Sequence, residues 1–165
     1  MLDAKMEAAL NDHLQHELAS AYVYLSMAAH LEAANLPGSA RWMRRQAQEE
    51  LGHAMRVFDY VNDRDGRVTL QAIAQPVTEF ASYVDVWKAA LDNEQKVTGV
   101  IGRLYEQAQK TDDHATSAML QWFVTEQVEE EKTVRTLLEQ VQQMGQSSSA
   151  MFFIDRHLGK EAEEG

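Results

Sequence analysis

Apolar residues recur every three or four positions along four long stretches of this chain, with polar residues between them. This spacing places the apolar side chains on one face of an α-helix, so it predicts amphipathic helices. The predicted helices cover about 4–33, 38–64, 82–110 and 113–144, followed by a short fifth helix over about 149–158. The two prolines, Pro37 and Pro76, fall where the helical spacing is interrupted. The pattern therefore predicts an all-α protein.

The lengths of the connecting segments indicate how these helices pack. Short segments join the first helix to the second and the third to the fourth, which favours two antiparallel hairpins. The segment from Arg67 to Ala81 is longer, and in extended form it can run beside a helix about 40 Å long. We therefore expect a four-helix bundle over about 4–144 with one long crossover between its second and third helices. A length of 165 residues suits a single domain, which we expect to cover 1–165.

The composition excludes several classes of function. Cysteine is absent, which rules out disulfides, thiolate metal sites and iron–sulfur clusters. The net charge of -11 argues against a nucleic-acid partner, because phosphate binding requires clustered lysine and arginine. The first residues lack the features of a secretory signal, and no apolar run is long enough for a membrane span. We therefore expect a cytoplasmic protein with neither nucleic acid nor a membrane as its partner.

Each long predicted helix carries one glutamate in the middle of its apolar stripe. These residues are Glu17, Glu50, Glu94 and Glu130. Their distances from the two hairpin turns would bring all four to one level of the bundle. Ionised carboxylates at one level of an apolar core repel one another, so they must bind cations or take up protons. His53 adds a nitrogen ligand on the same face as Glu50, and this combination is typical of carboxylate-bridged di-iron sites.

Other interpretations of these residues remain open at this stage. The run from Glu49 to His53 occurs by chance on many solvated helices, and the acidic run from Glu126 to Glu131 can be a charged surface. Tyr24 and Trp122 have the packing roles that are usual for aromatic residues. The remaining histidines receive no role: His13, His16, His30, His114 and His157. Two functions compete with iron oxidation, namely a di-iron or di-manganese oxidase of an organic substrate and a metal-free helical scaffold.

Several segments together resemble the bacterial non-haem ferritins over nearly the whole chain. They are His16-Glu17-Leu18-x-x-Ala21-Tyr22-x-Tyr24, Glu49-Glu50-x-x-His53-Ala54, Glu94-Gln95, and the most specific one, Leu120-Gln121-Trp122-Phe123-Val124-x-Glu126-Gln127-x-Glu129-Glu130-Glu131-Lys132. The tail from Phe153 to Leu158 is similar to the fifth ferritin helix. The resemblance implies a ferritin-like bundle that oxidises Fe(II) with O2 or H2O2. It also implies that Fe(III) is stored as a mineral inside a homo-oligomeric shell of 24 subunits.

The resemblance implies roles for single residues in a ferroxidase centre. One iron would be bound by Glu17, Glu50 and His53. The second would be bound by Glu50, Glu94 and Glu130, beside Gln127, so that Glu50 bridges the two irons. A third, inward iron site would be formed by Glu49, Glu126, Glu129 and Glu130. Tyr24 would lie next to the centre, where it is a candidate for supplying a further electron.

The resemblance also separates this chain from the haem-binding relatives. Bacterioferritins have a second Glu-x-x-His in the fourth helix and a haem-ligating methionine directly after the glutamate pair of the second helix. This chain has Gln127-x-x-Glu130 and Leu51 at those positions. We therefore expect iron without haem.

Overall fold

The computed structural model describes residues 2–145 and 147–164, and that part of the chain forms five α-helices and no β-strand. The helices are α1 (Ala4–Ala33), α2 (Pro37–Asp63), α3 (Tyr83–Lys110), α4 (His114–Met144) and α5 (Ser148–Glu164). The all-α prediction is confirmed, and the first four helices begin and end within one residue of their expected bounds. Residues 1, 146 and 165 of the predicted domain lie outside the described residues. Within the described ranges, no helix is both long and apolar enough to cross a membrane.

The fifth helix is longer than the sequence predicted, because it continues past Gly159 to Glu164. Glycine often ends a helix, but the residues that follow it here, Lys160 to Ala162, are all good helix formers. Gly159 instead lies against α2, where a Cβ atom on it would be 3.2 Å from the Cα of Gly38. The absence of a side chain at this position therefore allows α5 to pack closely on the start of α2.

The helices form the predicted bundle with one long crossover. α1 packs along α2 and α3 packs along α4, while α5 lies against α2. The crossover between α2 and α3 runs beside α1, where Asn11 accepts a hydrogen bond from the Thr69 amide at 2.7 Å. Further along, the Ser26 hydroxyl donates to the Val77 carbonyl at 2.6 Å. Because these contacts follow α1 from residue 11 to residue 26, the crossover carries the chain from one end of the bundle to the other.

The core of the bundle consists of two apolar clusters. One surrounds Trp42 and Trp87, and the other contains Leu10, Val57 and Phe123. On each long helix the inward glutamate falls in sequence between residues of the two clusters, as Glu50 does between Ala47 and Ala54. The four helices therefore contribute a polar layer between two apolar halves.

The start of α2 is capped by a residue from the far end of the chain. α1, α3 and α4 have their own caps, provided by Asp3, Ser82 and Asp113. α2 begins at Pro37 without a side-chain cap of its own. The buried Asp155 carboxylate of α5 accepts hydrogen bonds from the amides of Gly38 (3.1 Å) and Ser39 (2.7 Å) instead. This acceptor satisfies two amides that the helix leaves open, and its charge lies favourably at the helix N-terminus.

Candidate metal centre

The polar layer consists of carboxylates that are almost completely buried. The exposed fractions are 0% for Glu17, 1% for Glu50, 0% for Glu94 and 8% for Glu130. Each one lies on a helical stripe that is mostly apolar, so burying the stripe carries the carboxylate inward with it. A buried carboxylate is costly unless it is paired, hydrogen-bonded or bound to a cation.

Glu17, Glu50 and His53 form one group, in which one ligand atom from each residue lies within 4.8 Å of the others. The Nδ1 atom of His53 is 3.5 Å from Glu50 Oε2 and 3.7 Å from Glu17 Oε2. All four carboxylate oxygens of Glu17 and Glu50 are buried without a well-aligned hydrogen-bond partner. Unpartnered anionic oxygens beside an imidazole are the donor set that a divalent transition-metal ion binds, so these residues fit a metal.

Glu94 and Glu130 differ from the first pair because neighbouring side chains donate to them. Glu94 accepts hydrogen bonds from the Tyr24 hydroxyl and from Gln127 Nε2, the latter at 3.2 Å. Glu130 accepts one from Gln46 Nε2 at 3.0 Å. These donors fix the two carboxylates in the layer while leaving other lone pairs free for a cation.

The carboxylates of Glu50, Glu94 and Glu130 hold protons much more strongly than exposed glutamates do. Burial, together with the charges of Glu94 and Glu50, raises the pKa of Glu130 to about 8. Burial and the charge of Glu50 raise the pKa of Glu94 to about 7. Burial also raises the pKa of Glu50. Burial opposes protonation of His53, but its contacts with Glu17 and Glu50 outweigh this and raise its pKa. Without a cation, the layer therefore retains protons near neutral pH.

The residues expected at the third, inward site are only partly grouped. Glu126 and Glu130 form a second group of ligand atoms with His53, again within 4.8 Å of one another. Glu49 belongs to neither group among the described residues, and it forms an ion pair with Arg45 at 3.5 Å. Glu129 is exposed and also belongs to neither group in that part of the chain. The roles assigned to these residues stay predictions.

Two aromatic side chains, Tyr24 and Trp122, pack around the centre. Tyr24 is fully buried, and burial raises the pKa of its hydroxyl well above the ordinary value. The ring of Trp122 meets that of His53 edge-on at 5.4 Å between centroids, and the Arg56 guanidinium lies 4.1 Å from the Trp122 centroid. Tyr24 therefore contacts Glu94, and Trp122 contacts the imidazole of His53.

Sequence reasoning missed two residues that contact the candidate ligands. His13 was given no role, yet it is fully buried, and its Nε2 atom is 3.2 Å from Glu17 Oε1. Gln46, the donor to Glu130, was not singled out. A spacing of four residues between His13 and Glu17 on one helix was the available signal. For Gln46 no comparable signal exists, because its contact spans two helices.

Comparison with known proteins gives one consistent result. The ferritin-like domain family matches residues 7–144. The chain is 37% identical over 158 residues to the bacterial non-heme ferritin of Staphylococcus haemolyticus, covering 96% of this chain and 95% of that protein. It is 35% identical over 159 residues to the bacterial non-heme ferritin of Staphylococcus aureus, covering 96% of each. The open pore ferritin of Archaeoglobus fulgidus superposes with a TM-score of 0.95 at 41% identity, covering 96% of this chain and 98% of that one.

Proposed function

The chain belongs to the ferritin family, and we propose that its buried carboxylate–histidine layer is the ferroxidase centre that oxidises Fe(II) before storage. Membership confirms the resemblance predicted from the sequence, and it makes the chain an iron-storage protein. Iron is therefore the substrate and cargo of this protein. The observation that carries the proposal is the buried group of Glu17 and Glu50 oxygens, which lack a well-aligned hydrogen-bond donor and lie beside His53 in the middle of an apolar bundle.

We assign two Fe(II) positions to the layer. The first is bound by Glu17, Glu50 and His53, whose ligand atoms already lie together. The second is bound by Glu50, Glu94 and Glu130, with Glu50 shared and Gln127 beside it. The four carboxylate charges match the four positive charges of two Fe(II) ions, so binding resolves the repulsion that the empty layer would contain. Protons held by Glu94 and Glu130 are released when iron binds.

The chemical step is a two-electron reduction of the oxidant. Two Fe(II) ions each give one electron to O2, which takes up two protons and leaves as H2O2 while two Fe(III) ions form. With H2O2 as the oxidant, the same two electrons and two protons give two water molecules. The carboxylates hold the two irons side by side and stabilise the higher charge of Fe(III).

Complete reduction of O2 to water requires two further electrons. We propose that a third iron, bound by Glu126, Glu129, Glu130 and Glu49, supplies one of them, and that Tyr24 supplies the other. Support for the tyrosine comes from its hydrogen bond to Glu94, which places a proton acceptor at the hydroxyl. Support for the third site comes from the proximity of Glu126 and Glu130, although Glu49 would first have to leave Arg45.

We further propose that copies of this chain assemble into a closed shell, for which 24 subunits is the number that the family resemblance implies. Exposed apolar side chains support assembly, because a monomer leaves them in water. Tyr22, Leu25 and Leu51 border a groove of about 430 Å³ between α1 and α2, and each is nearly half exposed. Phe152 and Phe153 of α5 are more than three-fifths exposed.

The proposal is tested by the rate of Fe(II)-dependent O2 consumption. The double variant Glu50→Ala/His53→Ala removes the shared carboxylate and the single imidazole, so the fast phase of about two irons per subunit should disappear. A matched control, Glu106→Ala/His114→Ala, removes the same residue types from exposed positions and should oxidise iron at the wild-type rate. A double variant at Glu50 and His53 that oxidises iron at the wild-type rate would refute the assignment.

Iron loading separates the proposal from its alternatives. A ferritin should elute from size-exclusion chromatography as a large assembly and contain an electron-dense core after aerobic loading. A monomer or dimer that consumes O2 without forming a core would favour an oxidase of organic substrates. Absence of bound iron after loading, measured by elemental analysis, would favour a metal-free scaffold.

A further inference from the structure

One titratable group in the core has no place in the ligand sets described above. His13 lies one helical turn before Glu17, and none of its surface is exposed. Neither of its ring nitrogens has a well-aligned hydrogen-bond partner. A buried imidazole without a polar partner is costly, so its position in an apolar core calls for a compensating interaction.

His13 lies next to a candidate iron ligand. Its Nε2 atom is 3.2 Å from Glu17 Oε1, which is hydrogen-bond distance. The other oxygen of the same carboxylate, Oε2, lies 3.7 Å from His53 Nδ1. Oε1 of Glu17 therefore faces His13, and Oε2 faces His53, which belongs to the candidate metal-binding group.

The ring of His13 is held in place by packing. It meets the ring of Phe123 edge-on, with 5.0 Å between centroids, and Phe123 also meets the ring of His53 at 6.0 Å. Phe123 is itself 1% exposed, so it has little freedom to move away. The same aromatic side chain thus fixes the two imidazoles that flank Glu17.

Two other carboxylates of the layer receive hydrogen bonds from neighbouring side chains, and His13 can donate one to Glu17 in the same way. Glu94 receives hydrogen bonds from Tyr24 and Gln127, and Glu130 receives one from Gln46. All three donors are neutral, so they orient a carboxylate without cancelling the charge that attracts the metal. For Glu17, the group in the corresponding place is His13.

We propose that His13 is a positioning residue of the metal centre: its Nε2–H donates to Glu17 Oε1 and directs Glu17 Oε2 toward the metal. This inference rests on the proposed function, because it assumes that Glu17 binds a metal ion. A carboxylate held by a hydrogen bond binds more tightly than one that must first be ordered, and loss of such a contact typically weakens metal binding about 10- to 100-fold.

Cobalt(II) is a suitable probe, because it binds nitrogen and oxygen ligands and its visible spectrum reports their geometry. Binding is measured by titration calorimetry and by absorption on the full-length protein after chelator treatment. His13→Leu removes the donor, whereas His13→Gln retains an N–H donor on a side chain of similar reach. Leu14→Met changes the volume of a neighbouring buried residue on the same helix and serves as the matched control. If His13→Leu does not fold, His13→Met replaces it.

We expect the apolar variants to bind the first cobalt ion about 10- to 100-fold more weakly and to shift its visible bands. His13→Gln and Leu14→Met should keep most of the affinity and the wild-type spectrum. Wild-type affinity and spectrum in the apolar variant would overturn the inference, and so would an equal loss in His13→Gln or Leu14→Met. A wild-type protein that binds neither cobalt nor iron would overturn the proposed function as well. Wild-type binding with unchanged affinity in the apolar variant would overturn only the role of His13.

Discussion

Stability of the metal-free protein should fall as the pH rises from about 6.5 to about 8. The cause is the pair Glu94 and Glu130, whose pKa values are raised to about 7 and about 8 from an ordinary value of 4.5. In this window the unfolded chain has already lost both protons, whereas the folded protein still holds part of them. Folding therefore takes up protons, and a process that takes up protons becomes less favourable as the pH rises.

The size of this effect follows from the two pKa values. Linkage over this window gives about 1–2 kcal/mol for Glu130 and less than that for Glu94, so about 2 kcal/mol per subunit for the pair. Glu50 and His53 act in the same direction, because their pKa values are also raised in the folded protein. Burial lowers the pKa of His13 to about 3, so His13 is neutral in the folded protein, and only the unfolded chain binds a proton there near pH 6.5, which opposes the fall slightly at the start of the window.

The assay is thermal unfolding of chelator-treated protein at the two pH values, followed by circular dichroism. Glu130→Gln keeps an oxygen that can accept from Gln46 but removes the titrating group, so the fall in stability should become smaller by about 1–2 kcal/mol. Glu106→Gln is the matched control at an exposed site and should behave as the wild type does. Constant or rising wild-type stability over this window would contradict the prediction, and so would an unchanged pH dependence in Glu130→Gln.

Two further predictions concern the second iron and the docking of α5. In Tyr24→Phe, the initial oxidation of two irons should persist. The ratio of Fe(II) oxidised to O2 consumed should fall toward about two, because one electron donor is lost. An oxygen electrode measures this ratio, and a wild-type ratio would contradict the role of the tyrosine. Asp155→Ala leaves the amides of Gly38 and Ser39 without their acceptor and should destabilise the subunit by about 1–3 kcal/mol. Hydrogen exchange should then increase at the start of α2, and unchanged exchange there would show that another group caps this helix.

The sequence contained enough information to predict the bundle and the glutamates of its polar layer. Helical periodicity extends over about 30 residues in each long helix, so the stripes that contain Glu17 and Glu50 were unambiguous. The end of α2 could also be predicted, because Asp65-Gly66 is a typical turn sequence, and Asp65 has a left-handed φ of 57° just after the helix stops. These features depend on local spacing, which a single sequence displays directly.

Features that depend on contacts between distant segments could not be predicted in the same way. The predicted end of the fifth helix at about residue 158 was too early, and the close contact of Gly159 with Gly38, more than a hundred residues earlier in the chain, is not visible in the sequence. The donor to Glu130, Gln46, is recognisable only when the rotation of α2 against α4 is known. For His13, the spacing of four residues from Glu17 is visible in the sequence, but the burial of its ring is not.

The cap that Asp155 gives to α2 also has a consequence for the order in which a newly made subunit can mature. During synthesis, α1 and α2 leave the ribosome first and can pair as a hairpin at once. The amides of Gly38 and Ser39 nevertheless stay open to water until Asp155 has been translated and α5 has docked. The beginning of α2, which carries Trp42 into one of the two apolar clusters, is therefore among the last parts of the bundle to become protected. A nascent chain that stalls before α5 would retain an unprotected helix start beside an otherwise formed hairpin.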